Sequence, residues 1–234
     1  FQKIAIEKAG IIKKNIPLII GEYHPETIRV FEEKAEELSA PMTIAEEVYQ
    51  IEKSLDKYSI LQNSELVLGD LNIPLYGDYQ KKNIITAFTA CRKVGMSLEV
   101  IKRGFEKVLE NTNFTGRWQI LNQEPKVIAD TAHNEAGLAL VMEQLSNEVY
   151  KNIHLVISVV DDKNLTEILK YFPKNGQYYF CKADIPRGLT VESLQKQAEG
   201  LGLFGRSYGS VAAAYQAAME QAKAEDLVFI GGST

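Results

Sequence analysis

Between Arg117 and Ile230 the sequence switches repeatedly between two hydrophobic periods, and this constrains the fold more than any other feature. Short apolar runs read as strands: GRWQIL, PKVIAD, IHLVISVV at 153–160, residues 177–182, and LVFI at 227–230. Between them lie segments with apolar residues at helical spacing. One follows Asn134 and carries Leu138, Val141, Met142, Leu145 and Val149. Others span 164–171, 190–199 and 210–223, the last with Val211, Ala214, Tyr215, Ala218, Met219 and Ala222 on one face. Strands joined by helices of about 8–15 residues predict βαβ units and a mostly parallel sheet, an α/β fold.

The first 113 residues follow another pattern. Residues 17–20 predict a short buried strand, and Pro25 opens a helix with Ile28, Phe31, Ala35 and Leu38 on one face. Partial two-residue alternation over 47–75 predicts short antiparallel strands. Helices over 78–93 and 97–109 follow, the second capped by Ser97. The polar break Asn111-Thr112-Asn113 divides the 234 residues into domains 1–113 and 114–234. Lys and Arg total 26 against 31 Asp and Glu, and no basic stripe is interleaved with aromatics, so no nucleic-acid partner is expected. No run approaches the ~20 apolar residues of a membrane span, and charges interrupt the N-terminal apolar positions, unlike a signal peptide. Cys91 and Cys181 lack metal-like spacing and read as buried thiols of a reducing compartment. A cytoplasmic protein with no membrane partner is expected.

The strongest local constellation is Asp130-Thr131-Ala132-His133-Asn134, which leaves a strand and enters a helix. In open α/β sheets that crevice binds nucleotides, and the helix start offers free N–H groups to an anion. Asp130 suits ribose hydroxyls and His133 a base or phosphate; the plainer reading makes Asn134 a helix cap and Asp130 a loop carboxylate. Arg117, beside Gly116, has a planar fork suited to phosphate oxygens, or is a solvated turn residue. Gln80 and Asn83 share a face at a helix start, where paired amides read an adenine edge or simply decorate a surface. Lys8, in IAIEKAGII, is a solvated cation unless it is turned toward a site. Asp161-Asp162-Lys163-Asn164 ends a strand at the same sheet edge as Asp130, either a site loop or an acidic turn. His24 and His154 have no partner at ligand spacing and read as structural. Gly200-Leu201-Gly202-Leu203-Phe204-Gly205 spells a dinucleotide fingerprint, but it follows a helix rather than a strand. It reads as a helix stop with Gly200 just past the end.

Together these segments resemble the folylpolyglutamate synthase and dihydrofolate synthase family of Mur-type ATP-dependent amide ligases. The matching pieces are IAIEKAGIIKKNIPLIIGE, LYGDYQKKNIITAF, TGRWQIL, VIADTAHN, VVDDKN, IPRGLTVESL and FIGGST, in family order across nearly the whole chain. The resemblance implies the later part of a central ATPase domain over 1–113 and a Rossmann-like C-terminal ligase domain over 114–234. It implies a cytoplasmic, monomeric enzyme using ATP and Mg²⁺ to join L-glutamate to dihydropteroate or folate through an acyl phosphate. Lys8 matches the lysine that is carbamylated in the family, a catalytic group and an oxygen ligand for Mg²⁺. Gln80 and Asn83 match adenine-contacting amides, Arg117 a phosphate-contacting Arg, Asp130 a ribose-binding carboxylate and His133 a nucleotide-site His.

Two positions depart from the family's habit: Tyr79 where it often has His, and Glu135 where it often has Pro. No G-x-x-x-x-G-K-[ST] phosphate loop occurs among the 234 residues. The expectation is therefore the C-terminal part of a longer ligase, inactive by itself. Two alternatives stay open at this point, another Mur-type ligase making a peptidoglycan precursor and a non-catalytic nucleotide-binding module.

Overall fold

The computed structural model describes residues 1–161 and 165–232. Asp162, Lys163 and Asn164 of the acidic turn, and Ser233 and Thr234 of FIGGST, lie outside the described residues. The chain forms two compact units, Phe1–Pro74 with Asp78–Asn113 and Leu75–Gly77 with Phe114–Thr234.

The first unit begins with α1 (Gln2–Ala9), β1 (Leu18–Ile20), α2 (Ile28–Glu37) and β2 (Met42–Ile44). β1 and β2 pair in parallel with α2 as their crossover. Residues 25–27 form a turn, so the helix begins three residues later than Pro25 predicts. Ile28 and Ala35 are buried as expected, and Ala35 packs with Ala9, Ile12 and Ala40 under Phe31 and Leu38. Strand β1 is half-buried rather than buried.

After α3 (Ala45–Val48), strands β3 (Gln50–Ser54), β4 (Lys57–Gln62) and β5 (Glu65–Leu71) form an antiparallel sheet in sequence order. Asn63 and Ser64 join β4 to β5 with φ 52° and 65°, the left-handed pair that a tight hairpin requires. Helix α4 (Gln80–Lys93) buries Ile84, Ile85 and Phe88, and Tyr49 meets the Phe88 ring edge-on at 4.9 Å. Ser97 caps α5 (Leu98–Glu106) by accepting from the Val100 N–H at 3.4 Å, and α6 (Val108–Thr112) follows.

The second unit contains β6 (Gln119–Gln123), β7 (Lys126–Ala129), α7 (Glu135–Ser146), β8 (Ile153–Ser158), α8 (Leu165–Leu169) and β9 (Gln177–Cys181). It ends with α9 (Val191–Gly200), β10 (Gly205–Tyr208), α10 (Val211–Gln221) and β11 (Leu227–Gly232). Six strands run in the order β10-β9-β8-β11-β7-β6, all parallel except β6 against β7. Every residue of the central strand β8 is buried, as a parallel strand covered on both faces requires. Helix α10 covers one face, packing Ala214 and Ala218 on Val127, Val156, Tyr179, Cys181 and Val228.

Helix α7 buries Leu138, Val141, Met142 and Leu145 but ends at Ser146. Val149 therefore lies past the helix and is 98% exposed, not part of its apolar face. The glycine-rich stretch is a helix stop, although the stop residue is Gly202 and not Gly200. Gly202 takes φ +80°, its N–H reaches the Glu199 carbonyl, and the Leu203 N–H reaches that of Ala198. That double bond is the Schellman closure, and it satisfies the last helix carbonyls. The second unit also includes Leu75–Gly77, and the Gln144 amide donates to the Tyr76 carbonyl at 3.0 Å.

Candidate functional site

In a parallel sheet the loops leaving the C-terminal strand ends are free to build a site, and the Asp130–Asn134 turn leaves β7 at such an end. Asn134 caps α7, its side-chain oxygen accepting from the Gly137 N–H at 2.7 Å. The cap reading of Asn134 is thus what the structure shows. His133 is exposed and its Nδ1 lies 3.1 Å from the Thr131 carbonyl. A carbonyl only accepts, so Nδ1 is the donor in this contact and Nε2 stays outside it.

Asp130 is only 3% exposed. One carboxylate oxygen accepts from the Trp118 N–H at 2.7 Å and the other from the Ala132 N–H at 2.8 Å. The Asp130 N–H pairs with the Ile230 carbonyl at 3.0 Å. A buried carboxylate needs such donors to offset its desolvation. Asp130 therefore locks two loops together, a structural duty added to the ribose contact expected from sequence. Trp118, buried and at φ +45°, is the residue it holds.

Arg117 lies beside this lock and donates through Nη1 to the Thr131 hydroxyl and, at 3.3 Å, to the Gly116 carbonyl. The Thr131 hydroxyl and N–H also donate to the Gly116 carbonyl, at 2.9 and 2.8 Å. Gly116 has φ +74°, and a Cβ there would come within 2.8 Å of the Thr131 methyl. Only glycine meets both demands without strain. Arg117, Thr131, Asp130 and His133 are thus brought together on adjoining turns. A cavity of about 150 Å³ opens at the same strand ends, bounded by Asp130, Thr131, Ser158, Cys181 and Gly231. Burial pushes the Cys181 thiol up to about 12, away from the thiolate form. Cys91 is half-buried, not buried as expected.

Glu135 does not stand as an open anion beside the turn. Its Oε1 accepts from Lys170 Nζ and the Tyr171 hydroxyl, each at 3.0 Å, and Glu167 takes a second bond from Lys170. The Lys170 bond first, and the Tyr171 bond next, hold the Glu135 carboxyl below the usual range. No sequence signal links these residues, because the pairing spans 35 positions of chain.

In the first unit, Gln80 opens α4 and is 3% exposed, while Asn83 is exposed. The Asn83 amide donates to Gln80 Oε1 at 2.8 Å, which joins the two side chains and leaves the Asn83 oxygen as an outward acceptor. Lys8 lies exposed in the last turn of α1. No group of three or more His, Cys, Asp or Glu side chains at metal-holding separation occurs among the described residues. Magnesium takes about six oxygens, and the described residues bring no such carboxylate set together. His154 is buried and structural, as expected. No described helix is long and apolar enough to cross a membrane.

The Mur ligase glutamate ligase domain matches residues 116–234. The chain is 32% identical over 237 residues to the dihydrofolate synthase/folylpolyglutamate synthase of Escherichia coli, covering 99% of this chain and 53% of that one. It is 30% identical over 240 residues to a probable bifunctional folylpolyglutamate synthase/dihydropteroate synthase of Haloferax volcanii, covering 99% and 28%. Among solved structures, Escherichia coli FolC in complex with DHPP and ADP superposes with a TM-score of 0.83 at 29% identity, covering 99% of this chain and 54% of that chain. The chain thus spans about half the length of the Escherichia coli relative and less of the other.

Proposed function

The chain belongs to the folylpolyglutamate synthase/dihydrofolate synthase family of Mur-type ligases, and from that premise we propose that it is the C-terminal part of a ligase joining L-glutamate to dihydropteroate or folate. Residues 1–113 are then the later portion of the central ATPase domain, and 114–234 the ligase domain. ATP, when bound, supplies the phosphoryl group that activates the acceptor carboxylate. The residues of the 116–134 turns suit a nucleotide: Asp130 and Thr131 line a cavity, Arg117 bonds the Thr131 hydroxyl, and His133 and the α7 N-terminus follow on the same turn.

On this reading Asp130 holds the Trp118 and Ala132 loops and is also the carboxylate that meets the ribose. His133 offers Nε2 to the nucleotide, and Arg117 balances charge that develops on the phosphoryl group. Gln80 positions Asn83 so that its outward oxygen accepts from the adenine amino group. Lys8, once carbamylated, would offer one oxygen to Mg²⁺, which would supply charge neutralisation for the phosphates. No phosphate loop of the G-x-x-x-x-G-K-[ST] type occurs among the 234 residues, so this polypeptide alone is inactive. The enzyme is cytoplasmic and monomeric.

The observation that carries the reading is the Asp130 lock, which sets Arg117, His133 and the α7 start on one sheet edge. The test is ADP release by the full-length ligase, which should require both glutamate and a pteroate or folate acceptor. ADP release without glutamate dependence overturns it. Turnover with a muramyl-peptide acceptor instead points to the peptidoglycan branch. Tight Mg-ATP binding by the 234-residue chain, measured by calorimetry, would make it a self-sufficient nucleotide module and sink the claim of inactivity by truncation; weak or absent binding is expected.

A further inference from the structure

The opposite end of the second unit's sheet carries a second cavity, of about 260 Å³, where β9 and β10 begin. Its volume lies just below the range of about 300–1,000 Å³ that holds drug-sized ligands, which limits an occupant to a single ring. Arg206 lies opposite Tyr179 in the β9–β10 register and Tyr208 opposite Cys181, so Arg206, Tyr179 and Tyr208 share the sheet face covered by α10. The Tyr179 and Tyr208 rings stack at 5.7 Å. Phe204 stands at the margin, 67% exposed, and Gln177 and Gln221 contribute amides to the wall.

The floor is anchored from behind. Asp226, only 3% exposed, accepts from Lys223 N–H at 2.9 Å and from the Asn152 N–H and side-chain amide at 3.0 and 2.8 Å. Its other neighbour is His154 Nε2, 3.5 Å from Oδ2. With Nε2–H donating to Asp226, Nδ1 is the acceptor for the Tyr179 hydroxyl at 3.0 Å. The Tyr179 hydroxyl also lies 3.4 Å from Gln177 Oε1, a second and longer acceptor on the cavity wall. Burial above all, with Tyr208 adding to it and Arg206 opposing, pushes that phenol up to about 12, so it stays neutral. Arg206 itself is exposed, and no ion pair or hydrogen bond engages its guanidinium among the described residues.

We propose that this cavity is a binding site for a single-ring aromatic carboxylate, distinct from the nucleotide site at the other strand ends. The Arg206 fork takes the carboxylate. The Tyr179–Tyr208 shelf and Phe204 take the ring in stacked or edge contact. Helix α10 ends at Gln221, where its carbonyls carry the negative end of the helix dipole. The anion therefore belongs on the β10 side, and a hydroxyl or amino group across the ring belongs near Gln221.

The test is titration of the isotope-labelled 234-residue chain with 4-hydroxybenzoate, followed by amide chemical shifts. Saturable shifts confined to residues 177–179, 204–208 and 221 are expected. Arg206→Ala should weaken binding about tenfold or more, because it removes a charge-assisted bond. Arg206 supports no other side chain, so the variant's melting curve should match that of the parent chain. The saturated-ring analogue 4-hydroxycyclohexanecarboxylate should bind about fivefold more weakly. No saturation by about 10 mM, unchanged affinity in Arg206→Ala, or acetate competing as well as the aromatic acid would each overturn the proposal.

Discussion

The Trp118 N–H donates to the Asp130 carboxylate at 2.7 Å across twelve residues of chain, and both residues are buried. Removing that acceptor leaves two N–H groups, of Trp118 and Ala132, without their partner. Each unsatisfied buried donor costs about 1–3 kcal/mol. Asp130→Ala should therefore lower the stability of the second unit by roughly 2–5 kcal/mol, read from urea unfolding. Asp130→Asn keeps one acceptor but turns an NH₂ toward the other N–H, so it should fall between the two. An alanine variant as stable as the parent chain would remove Asp130's role as a lock.

Gly116 gives a second test of the same turn. Alanine there places Cβ 2.8 Å from the Thr131 methyl at φ +74°. Left-handed strain and the clash together should cost about 1–3 kcal/mol. Thr131→Ser removes the methyl but keeps the hydroxyl that bonds Gly116 and Arg117. In a double-mutant cycle the serine should recover part of the loss, leaving the backbone strain. Strict additivity would mean that the methyl contact contributes nothing.

The apolar periodicity shows why so much of the architecture is legible before any coordinates. Strand β8 and helix α10 each bury a face written in adjacent residues, so their periods are visible locally. Strand β10 is the counterexample: Gly205-Arg206-Ser207-Tyr208 has no strand-like run and owes its conformation to pairing with β9. Strand β2, three residues long, is shorter still and follows from β1. The candidate site divides the same way. The Asn134 cap and the strand-to-helix turn are local patterns. The bond from Trp118 to Asp130 and the Lys170 bond to Glu135 are tertiary pairings with no spacing rule behind them. Helical period alone carries no stop signal, so it extends the apolar face to Val149, whereas the chain leaves the helix at Ser146.

Asp226 sets a pH dependence at the far end of the sheet. Burial pushes its carboxyl up, but the bonds from Lys223, Asn152 and His154 outweigh that and hold it below its ordinary 3.8. An acid whose folded value is depressed stabilises the fold above the unfolded value, and that contribution is lost as pH falls through the folded value. Asp226→Asn should accordingly be more urea-sensitive than the parent chain at pH 7, with the difference narrowing below pH 3.8. A difference that stays constant between pH 7 and pH 3 would mean the carboxylate's charge is irrelevant there.

Arg117 and Gln80 should separate kinetically in the full-length ligase, because one answers to developing charge and the other to a bound base. Arg117 already spends Nη1 on Thr131 and Gly116, which aims the rest of the fork. If that fork meets the phosphoryl group, Arg117→Ala should lower kcat by about 10²-fold, as loss of a preorganised donor does. Lysine should restore little, since a point charge cannot keep both the turn contacts and the phosphate. Gln80→Ala frees the Asn83 amide that it holds at 2.8 Å and loosens the adenine contact. That contact is equal in the ground and transition states, so KM for ATP should rise with kcat nearly unchanged. Steady-state ADP release at saturating glutamate distinguishes the two. A fall in kcat for Gln80→Ala, or a pure KM effect for Arg117→Ala, reverses the roles assigned to them.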